Sequence, residues 1–473
     1  MKTQAIQNDA AVSPSVTLFV VSVVQFLTPF MASAVGVALP TIGKEFGASA
    51  VQLSMIQMTY ILAVAILLLP IGRFADIHGR KRIFIFGIVL VILTTFAIGW
   101  AQGTTTFILL RFLQGAGTAS ITSTSFAILS SVFPAERRGR AMGVIVACVY
   151  VGLAAGPTLA GIVTSQLGWR WLFFLMVPIQ LLALILTLLK LKGEWAEAHG
   201  EPFDWGGSII YATALSSVIV GIYLLNRMEF AGLFVIAGLL GLAIFLKLAA
   251  ARDKPLLDVR FLLNNRTFTL SNIATLINYA ASFGVIFLLT LYLQYVKGLS
   301  AQQAGFVLVV QPVVQAVFSP LSGRWSDAYS PSLMATLGMA ICAIGLMAAT
   351  FIGSDTSLIA IILVMVLLGM GFGIFSSPNM SAIIGSVGPR HYGTASSMIA
   401  TMRTVGMLTS MAIITLVLSL FMGDNPVSKD NHLDFVSSMH VSLIAFSLMS
   451  IVGICFSMIR NRVAKAATRV NSR

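Results

Sequence analysis

PIGRFADIHGRKR, residues 70–82, is the stretch that decides the fold, because the chain repeats it in outline as PLSGRWSDAYS at 320–330. Gly72, Arg73 and Asp76 recur as Gly323, Arg324 and Asp327, 251 positions later. The echo extends well beyond this loop. Gly115 and Gly117 return as Gly369 and Gly371, Gly139 as Gly393 and Gly152 as Gly406, each displaced by 254. A near-constant offset held over so much sequence implies two matched halves, an arrangement that suits a rocking-bundle transporter with a central site at the interface.

Composition fixes the medium in which those halves fold. The 473 residues are 58% hydrophobic and only 10% charged, with a mean hydropathy of +0.94, too little polar surface to coat a soluble globule. A helix of about 20 apolar residues crosses a bilayer, and fourteen such stretches can be read, the first at 16–39 and the last at 437–459. The expected fold is therefore an all-α polytopic membrane protein. It comprises a six-helix bundle over 1–190, a two-helix insertion over 191–265, and a second six-helix bundle with a cytoplasmic tail over 266–473. The first apolar run is longer than a signal core and no basic cluster precedes it, so it is expected to stay as a span.

The net charge of +13 would suit a nucleic-acid binder, but its distribution argues otherwise. If both termini are cytoplasmic, cytoplasmic segments hold 22 of the 29 Lys and Arg residues. Only Lys44, Arg170, Arg227, Lys297 and Lys429 fall outside, which is the bias that orients membrane proteins. Cys148, Cys342 and Cys455 fall in three different spans without paired spacing and read as core-filling thiols. No GxxxxGK[ST] phosphate loop is present, so a gradient rather than ATP is expected to drive the protein. No cofactor or metal is expected. A membrane-embedded enzyme would need clustered acids, nucleophiles or ligands within the spans, where His440 is the single His or acidic residue.

With the repeat in place, the motifs resemble a family. GRFADIHGRKR (72–82) resembles the loop signature between spans 2 and 3 of the major facilitator superfamily, LLRFLQGAG (109–117) its fourth-span motif, and GLAAGPTLAG (152–161) its antiporter motif in span 5. Together with fourteen spans and GWRWLFFLMVP (168–178) opening span 6, the chain resembles the fourteen-span drug:proton antiporter branch over nearly its whole length. The resemblance implies secondary transport of a small molecule across the plasma (inner) membrane, most simply efflux by proton antiport. Uptake or facilitated diffusion of an organic anion, and lipid translocation, stand as alternatives. It also implies that Asp76, with Gly72, Gly79 and Arg80, forms a cytoplasmic latch. Asp76 would face the N-terminal end of a second-half helix near Gly393, where the helix dipole favours an anion.

The residues themselves say more. Gly152, Gly156 and Ala160 repeat every four positions, a flat ridge that lets a neighbouring helix approach closely. Pro157 removes a backbone hydrogen bond and bends the helix beside them, and Gly161 completes the motif. In the second half Gly406 remains, but Ser410 and Met411 replace Gly156 and Pro157. Arg111 and Arg403 lie inside spans, where a charge costs several kcal/mol unless paired or wetted. Gln25, Gln57, Tyr60, Gln114, Asn278, Tyr279, Gln311 and Gln315 could line a cavity with them.

Two positions depart from the family pattern. Met31, nine residues before Pro40, stands where an acid is expected, and Met176 stands where an Asn is usual. All sixteen acidic residues lie in loops, tails or span edges. The central cavity is thus expected to be electropositive through Arg111 and to favour an anionic, zwitterionic or neutral lipid-like substrate. Proton coupling is left to Asp76, to His440, or to the substrate's own titratable group. The charge bias makes a direct topological prediction. A cysteine introduced at Ser428, in the 422–436 loop, will react with a membrane-impermeant maleimide in intact cells; reaction only after permeabilisation would contradict fourteen spans with cytoplasmic termini.

Overall fold

The computed structural model describes residues 13–225, 228–252, 254–257, 259–388, 392–428 and 431–471, and among these the chain is helical throughout with no strand. The first half contains α1 (Pro14–Phe46), α2 (Ala50–His78), α3 (Arg80–Gly99), α4 (Thr104–Val132), α5 (Ala135–Gln166) and α6 (Trp169–Lys190). A hairpin of α7 (Trp205–Leu224) and α8 (Ala231–Ala251) follows, then the short α9 (Val259–Asn264). The second half contains α10 (Arg266–Leu291), which ends in a π-turn over Tyr292–Val296, then α11 (Ala301–Leu308), α12 (Val310–Ala328), α13 (Pro331–Ala349), α14 (Leu358–Gly385), α15 (Tyr392–Phe421) and α16 (His432–Asn471).

Thirteen of the described helices are long and apolar enough to cross a bilayer, with α11 and α12 read as one span broken at Val309. Pro312 explains the break: lacking an N–H, it cannot bond the carbonyl of Leu308, four residues back. The fourteenth span is α4, which at 29 residues is long enough but is diluted by Arg111, Gln114 and a run of Ser and Thr. Those groups are hidden from lipid. Arg111, Gln114, Ser120, Thr124 and Ser125 are all buried, because α4 is wedged between α2 and α3.

The repeat read in the sequence governs packing. In the first half α1 pairs with α5, α2 and α3 both pair with α4, and α3 pairs with α6; the second half repeats these as α10 with α15, α12 and α13 with α14, and α13 with α16. Even the turns match. Gly47 at φ 62° ends α1 and Ser49 opens α2 with a capping box closed by Gln52; Gly298 at φ 67° and the Ser300–Gln303 box repeat this 251 residues on. Both glycines adopt the left-handed conformation that other residues resist, and each box satisfies two otherwise orphaned N–H groups at a helix start.

The inserted hairpin belongs to neither bundle. Its helices pack on each other, and α7 also touches both α2 and α15, so it lies across one seam between the halves. The Tyr211 hydroxyl fixes it there by donating to the Ala65 carbonyl of α2 at 2.9 Å. The end of the molecule where α1 begins carries Arg73, Arg80, Lys81 and Arg82 at the α2–α3 turn and forms a basic end; the α1–α2 turn marks the opposite end. At that opposite end Trp169, buried among Phe46, Phe107 and Phe173, donates to Glu45 at 2.7 Å, and Arg170 pairs with the same carboxylate at 2.6 Å. The start of α6 is thereby clamped to the end of α1.

Candidate substrate site between the two halves

Three arginines lie within the bundles, and none of the ion pairs among the described residues involves them. Their surroundings differ. Arg111 is fully buried and held by neutral groups: Nη1 donates to Gln114 Oε1 at 2.6 Å, while Nη2 and Nε reach Gln57 Oε1 and the Ile56 carbonyl, each at 3.4 Å. Its guanidinium also lies 4.1 Å from the centre of the Tyr60 ring, an attraction that strengthens when desolvated. Gln114 passes the network on to Thr95 at 2.9 Å, and the Tyr60 hydroxyl donates to Thr118 at 3.1 Å. Seven residues from the start of α4, Arg111 lies about 10 Å from the opposite end, enclosed by α2, α3 and α4.

Arg460 is sealed in a different way. Sequence reading counts it in the cytoplasmic tail, but α16 continues unbroken and carries it into the basic end of the second bundle, fully buried. It donates to Asn379 Oδ1 at 2.6 Å, to the Ser332 carbonyl and Ser457 Oγ at 2.8 Å, and to Ser271 Oγ at 3.2 Å. These bonds join α10, α13, α14 and α16. The signal was available: Ser457 stands three residues earlier, one helical turn away, in an apolar run that gives no reason for the helix to stop.

Arg403 is the one left partly exposed. Eleven residues into α15, it lies about 16 Å from the basic end, near the middle of a hydrocarbon layer about 30 Å thick. Its guanidinium lies within electrostatic reach of the Tyr279 phenol of α10, as does Tyr150 of α5. Tyr279 stacks edge-on against Phe372 of α14 with ring centres 4.9 Å apart, and the Tyr150 hydroxyl pairs with Ser376 of α14 at 3.0 Å. One first-half helix and three second-half helices thus meet around a cation and three aromatic rings. Sequence reading named Arg403 and Tyr279; it missed Tyr150, Phe372 and Ser376, which look like ordinary span residues until the halves are brought together.

The remaining polar candidates do not join this cluster through any hydrogen bond among the described residues. Tyr60 and Gln114 line a small pocket within the first half, together with Met31, Thr118 and Gln180, with a volume of ≈ 30 Å³. That is room for a water or two rather than for a substrate. Met31, the position where the family pattern carries an acid, faces this pocket. Gln25, Asn278, Gln311 and Gln315 are all buried, and Gln25 Nε2, Gln311 Oε1 and both side-chain polar atoms of Asn278 find no partner. Met176 packs beside the hydrophobic core. His440 Nε2 meets the Ile352 carbonyl at 2.7 Å, so that nitrogen carries the proton and ties α16 to the turn after α13.

The antiporter motif has two working faces. A side chain at Gly152 or Gly156 would collide with α1, with the Phe26 carbonyl in the first case and Ser33 Oγ in the second. Gly161 and Pro157 face the second half instead: a Cβ on Gly161 would lie 2.6 Å from the Ala301 carbonyl, and one on Gly305 would strike the Pro157 carbonyl. The second half builds the corresponding α10–α15 crossing with the roles exchanged. Gly406 meets the Leu276 carbonyl, while the serine sits on α15 as Ser410 and its Oγ accepts from the Gly284 N–H of α10 at 2.9 Å.

The loop signature is held by its own half. Arg80 binds Asp76 at 2.7 Å, chelates Glu197 at 2.7 and 3.0 Å, and donates to Ser131 at 2.6 Å. Glu197 belongs to an acidic strap over 193–204. Within the strap Glu194 accepts from the Lys81 and Arg82 N–H groups at the start of α3, Glu201 pairs with Arg73 at 2.5 Å and Lys254 at 3.1 Å, and Asp204 pairs with Arg252. Hydrogen bonds from Arg73 and Lys254 hold the Glu201 carboxyl below the usual carboxylate range. Gly79, at φ 117°, leaves the space that Glu194 fills, and Gly72 faces Ser123 of α4. The helix start expected opposite Asp76, near Gly393, is the beginning of α15, next to residues 389–391, which lie outside the described residues; the Asp76 carboxylate pairs with Arg80 and its carbonyl accepts from the Ala198 N–H.

Two matched six-helix bundles of long apolar helices define a multi-pass membrane protein with the architecture of a transporter. The family profile described as Major Facilitator Superfamily matches residues 21–411 and matches again over 271–471. The chain belongs to the major facilitator superfamily. It is similar to the riboflavin transporter RibZ of Clostridioides difficile, 28% identical with 85% of this chain and 87% of that protein covered. It is also similar to the cephamycin export protein CmcT of Amycolatopsis lactamdurans, 29% identical with 90% and 89% covered. Among solved structures, an inward-facing, unoccupied bacterial homologue of the human lysosomal transporter Spinster superposes with a TM-score of 0.68 at 16% identity, covering 95% of this chain and 97% of that one.

The two faces of the antiporter motif yield a graded prediction. Gly156→Ala should impair transport and lower the thermal midpoint, as overpacking by one methyl costs about 1–3 kcal/mol. Ser33→Ala should restore part of both, because the blocking atom is a side-chain hydroxyl. Gly152→Ala, which presses on backbone, should show no such rescue. Equal rescue of the two would place the constraint elsewhere.

Proposed function

We propose that this transporter exports amphipathic or anionic small molecules across the plasma membrane by proton antiport, with both termini and the basic end in the cytoplasm. The observation that carries this reading is Arg403: a partly exposed cation near mid-membrane, within electrostatic reach of Tyr279, whose ring packs edge-on against Phe372. No acidic residue among the described spans pairs with it. A fixed cation in low dielectric attracts anions and repels cations far more than it would in water. The rings add large apolar contact area and favour flat, partly aromatic compounds. Relatives named for riboflavin transport and cephamycin export agree with a substrate of that general size and character.

Orientation rests on the excess of Lys and Arg at the basic end. Proton coupling rests on the family resemblance. Asp76 pairs with Arg80 and His440 Nε2 bonds the Ile352 carbonyl; the proton carrier is proposed to be one of these two side chains or the substrate's own titratable group.

Inverted vesicles loaded by an imposed pH gradient test the charge argument. Arg403→Gln should reduce uptake of an anionic fluorescent dye by about 10- to 100-fold, the range for losing a charge-assisted contact, and Arg403→Lys should retain part of it. Robust movement of a quaternary ammonium compound by the unmodified protein, undiminished in Arg403→Gln, would contradict this reading.

A further inference from the structure

Several hydrogen bonds join the two halves near mid-membrane and toward the opposite end. Ser54 of α2 meets Thr415 of α15 at 2.9 Å, the Ala50 N–H donates to the Asn425 carbonyl at 3.3 Å, and the Gln302 N–H donates to Ser165 at 3.1 Å. Two further bonds at that end come from one short segment, the π-turn over Tyr292–Val296. Gln294 Nε2 donates to the Val37 carbonyl at 2.9 Å, and the Tyr295 hydroxyl donates to the Pro40 carbonyl at 3.0 Å. Both acceptors belong to the last turns of α1, in the other half. Tyr295 is further engaged by Lys44, whose ammonium lies 5.5 Å from its ring centre.

The same turn is anchored to its own half. The Tyr292 hydroxyl donates to the Gly353 carbonyl at 2.7 Å and Lys297 donates to the Ser354 carbonyl at 2.6 Å. In an α-helix residues i and i+3 share a face, so Tyr292 and Tyr295 would point the same way. They bond opposite bundles. The widened turn, closed by the Lys297 N–H on the Tyr292 carbonyl, supplies the extra rotation, and single π-turns inside helices recur at functional positions.

We propose that this π-turn is the latch of the outer gate: Gln294 and Tyr295 are the positioning residues that hold α1 shut, and Tyr292 with Lys297 makes the turn move with the second half. The proposal rests on the reading above, with the basic end in the cytoplasm, for its orientation, but not on any substrate. Outward opening must break the two bonds to α1 while those to the 353–354 turn persist. Each side chain presents a donor to a backbone carbonyl, so the chemistry, not the volume, is what closes the gate. Gln294→Glu keeps the shape and places an acceptor against an acceptor; Tyr295→Phe keeps the ring and its Lys44 contact and loses the bond.

The test uses the full-length, cysteine-free protein in lipid nanodiscs without substrate or gradient. Spin labels are placed at Gln102 and Asp355, both exposed at the opposite end, one in each half. In the parent the distance distribution should be dominated by a short, closed population. Gln294→Glu and Tyr295→Phe should each raise the long-distance population, by roughly fivefold for each bond lost. A control, Tyr292→Phe, should not lengthen the distance between halves, because it cuts a bond within one half. Should Gln294→Glu fail to fold, Tyr295→Phe carries the test. Unchanged distributions in the bond-cutting variants would overturn the proposal. Because no transported compound is involved, that result would leave the substrate reading untouched, and a failed dye assay would leave the latch untouched.

Discussion

A cation in a medium without water must find dipoles, a counter-ion or a ligand, and this protein solves that problem three times. Arg111 is enclosed by amide oxygens and an aromatic face, and Arg460 by a ring of hydroxyl, amide and carbonyl oxygens. Both are fully buried. Burial without a carboxylate is tolerable there because several neutral dipoles share the charge, and each site crosslinks helices of a single half. Arg403 has partial exposure and a nearby phenol, Tyr279, instead. The contrast separates arginines that stiffen a bundle from the one placed where the bundles meet.

The rigid halves that result can move only where contacts between them are few and closely shaped. α5 takes part in both kinds of contact. Its glycines let it lie against α1 inside the first half, and Gly161 with the Pro157 carbonyl lets it lie against α11 of the second. A helix that packs this tightly on both sides couples the inner geometry of one bundle to the position of the other. At the basic end the acidic strap over 193–204 holds the loop signature within the first half, while the π-turn bonds α1 at the opposite end.

Much of this was legible in the sequence because membrane physics leaves few choices. Apolar length gave the spans, and the 251- and 254-residue offsets gave the two bundles. The Ser49–Gln52 and Ser300–Gln303 boxes were there to be read as well, as the S-x-x-Q pattern after glycine. Replacement of Gly156 by Ser410 looked like a lost pivot, yet the structure keeps the crossing by moving the glycine to α10 as Gly284. An exchange across two helices cannot be seen along one chain. The site was less legible for the same reason. Arg111 looked like a cavity charge because depth in a span is readable and the identity of its neighbours is not, and Tyr150 and Phe372 acquire meaning only through the α10 and α15 residues that they meet. The strap's four acids at 194, 197, 201 and 204 read as loop charge, since their partners Arg82, Arg80, Arg73 and Arg252 are distant in sequence.

The central claim is that charge at the mid-membrane site selects the substrate. Its most direct measurement is initial flux into proteoliposomes across an imposed pH gradient for three compounds matched in size and ring content but anionic, neutral or permanently cationic. The account predicts gradient-driven flux for the anion and the neutral compound and little for the cation. Flux of the cation equal to or faster than that of the anion would contradict it.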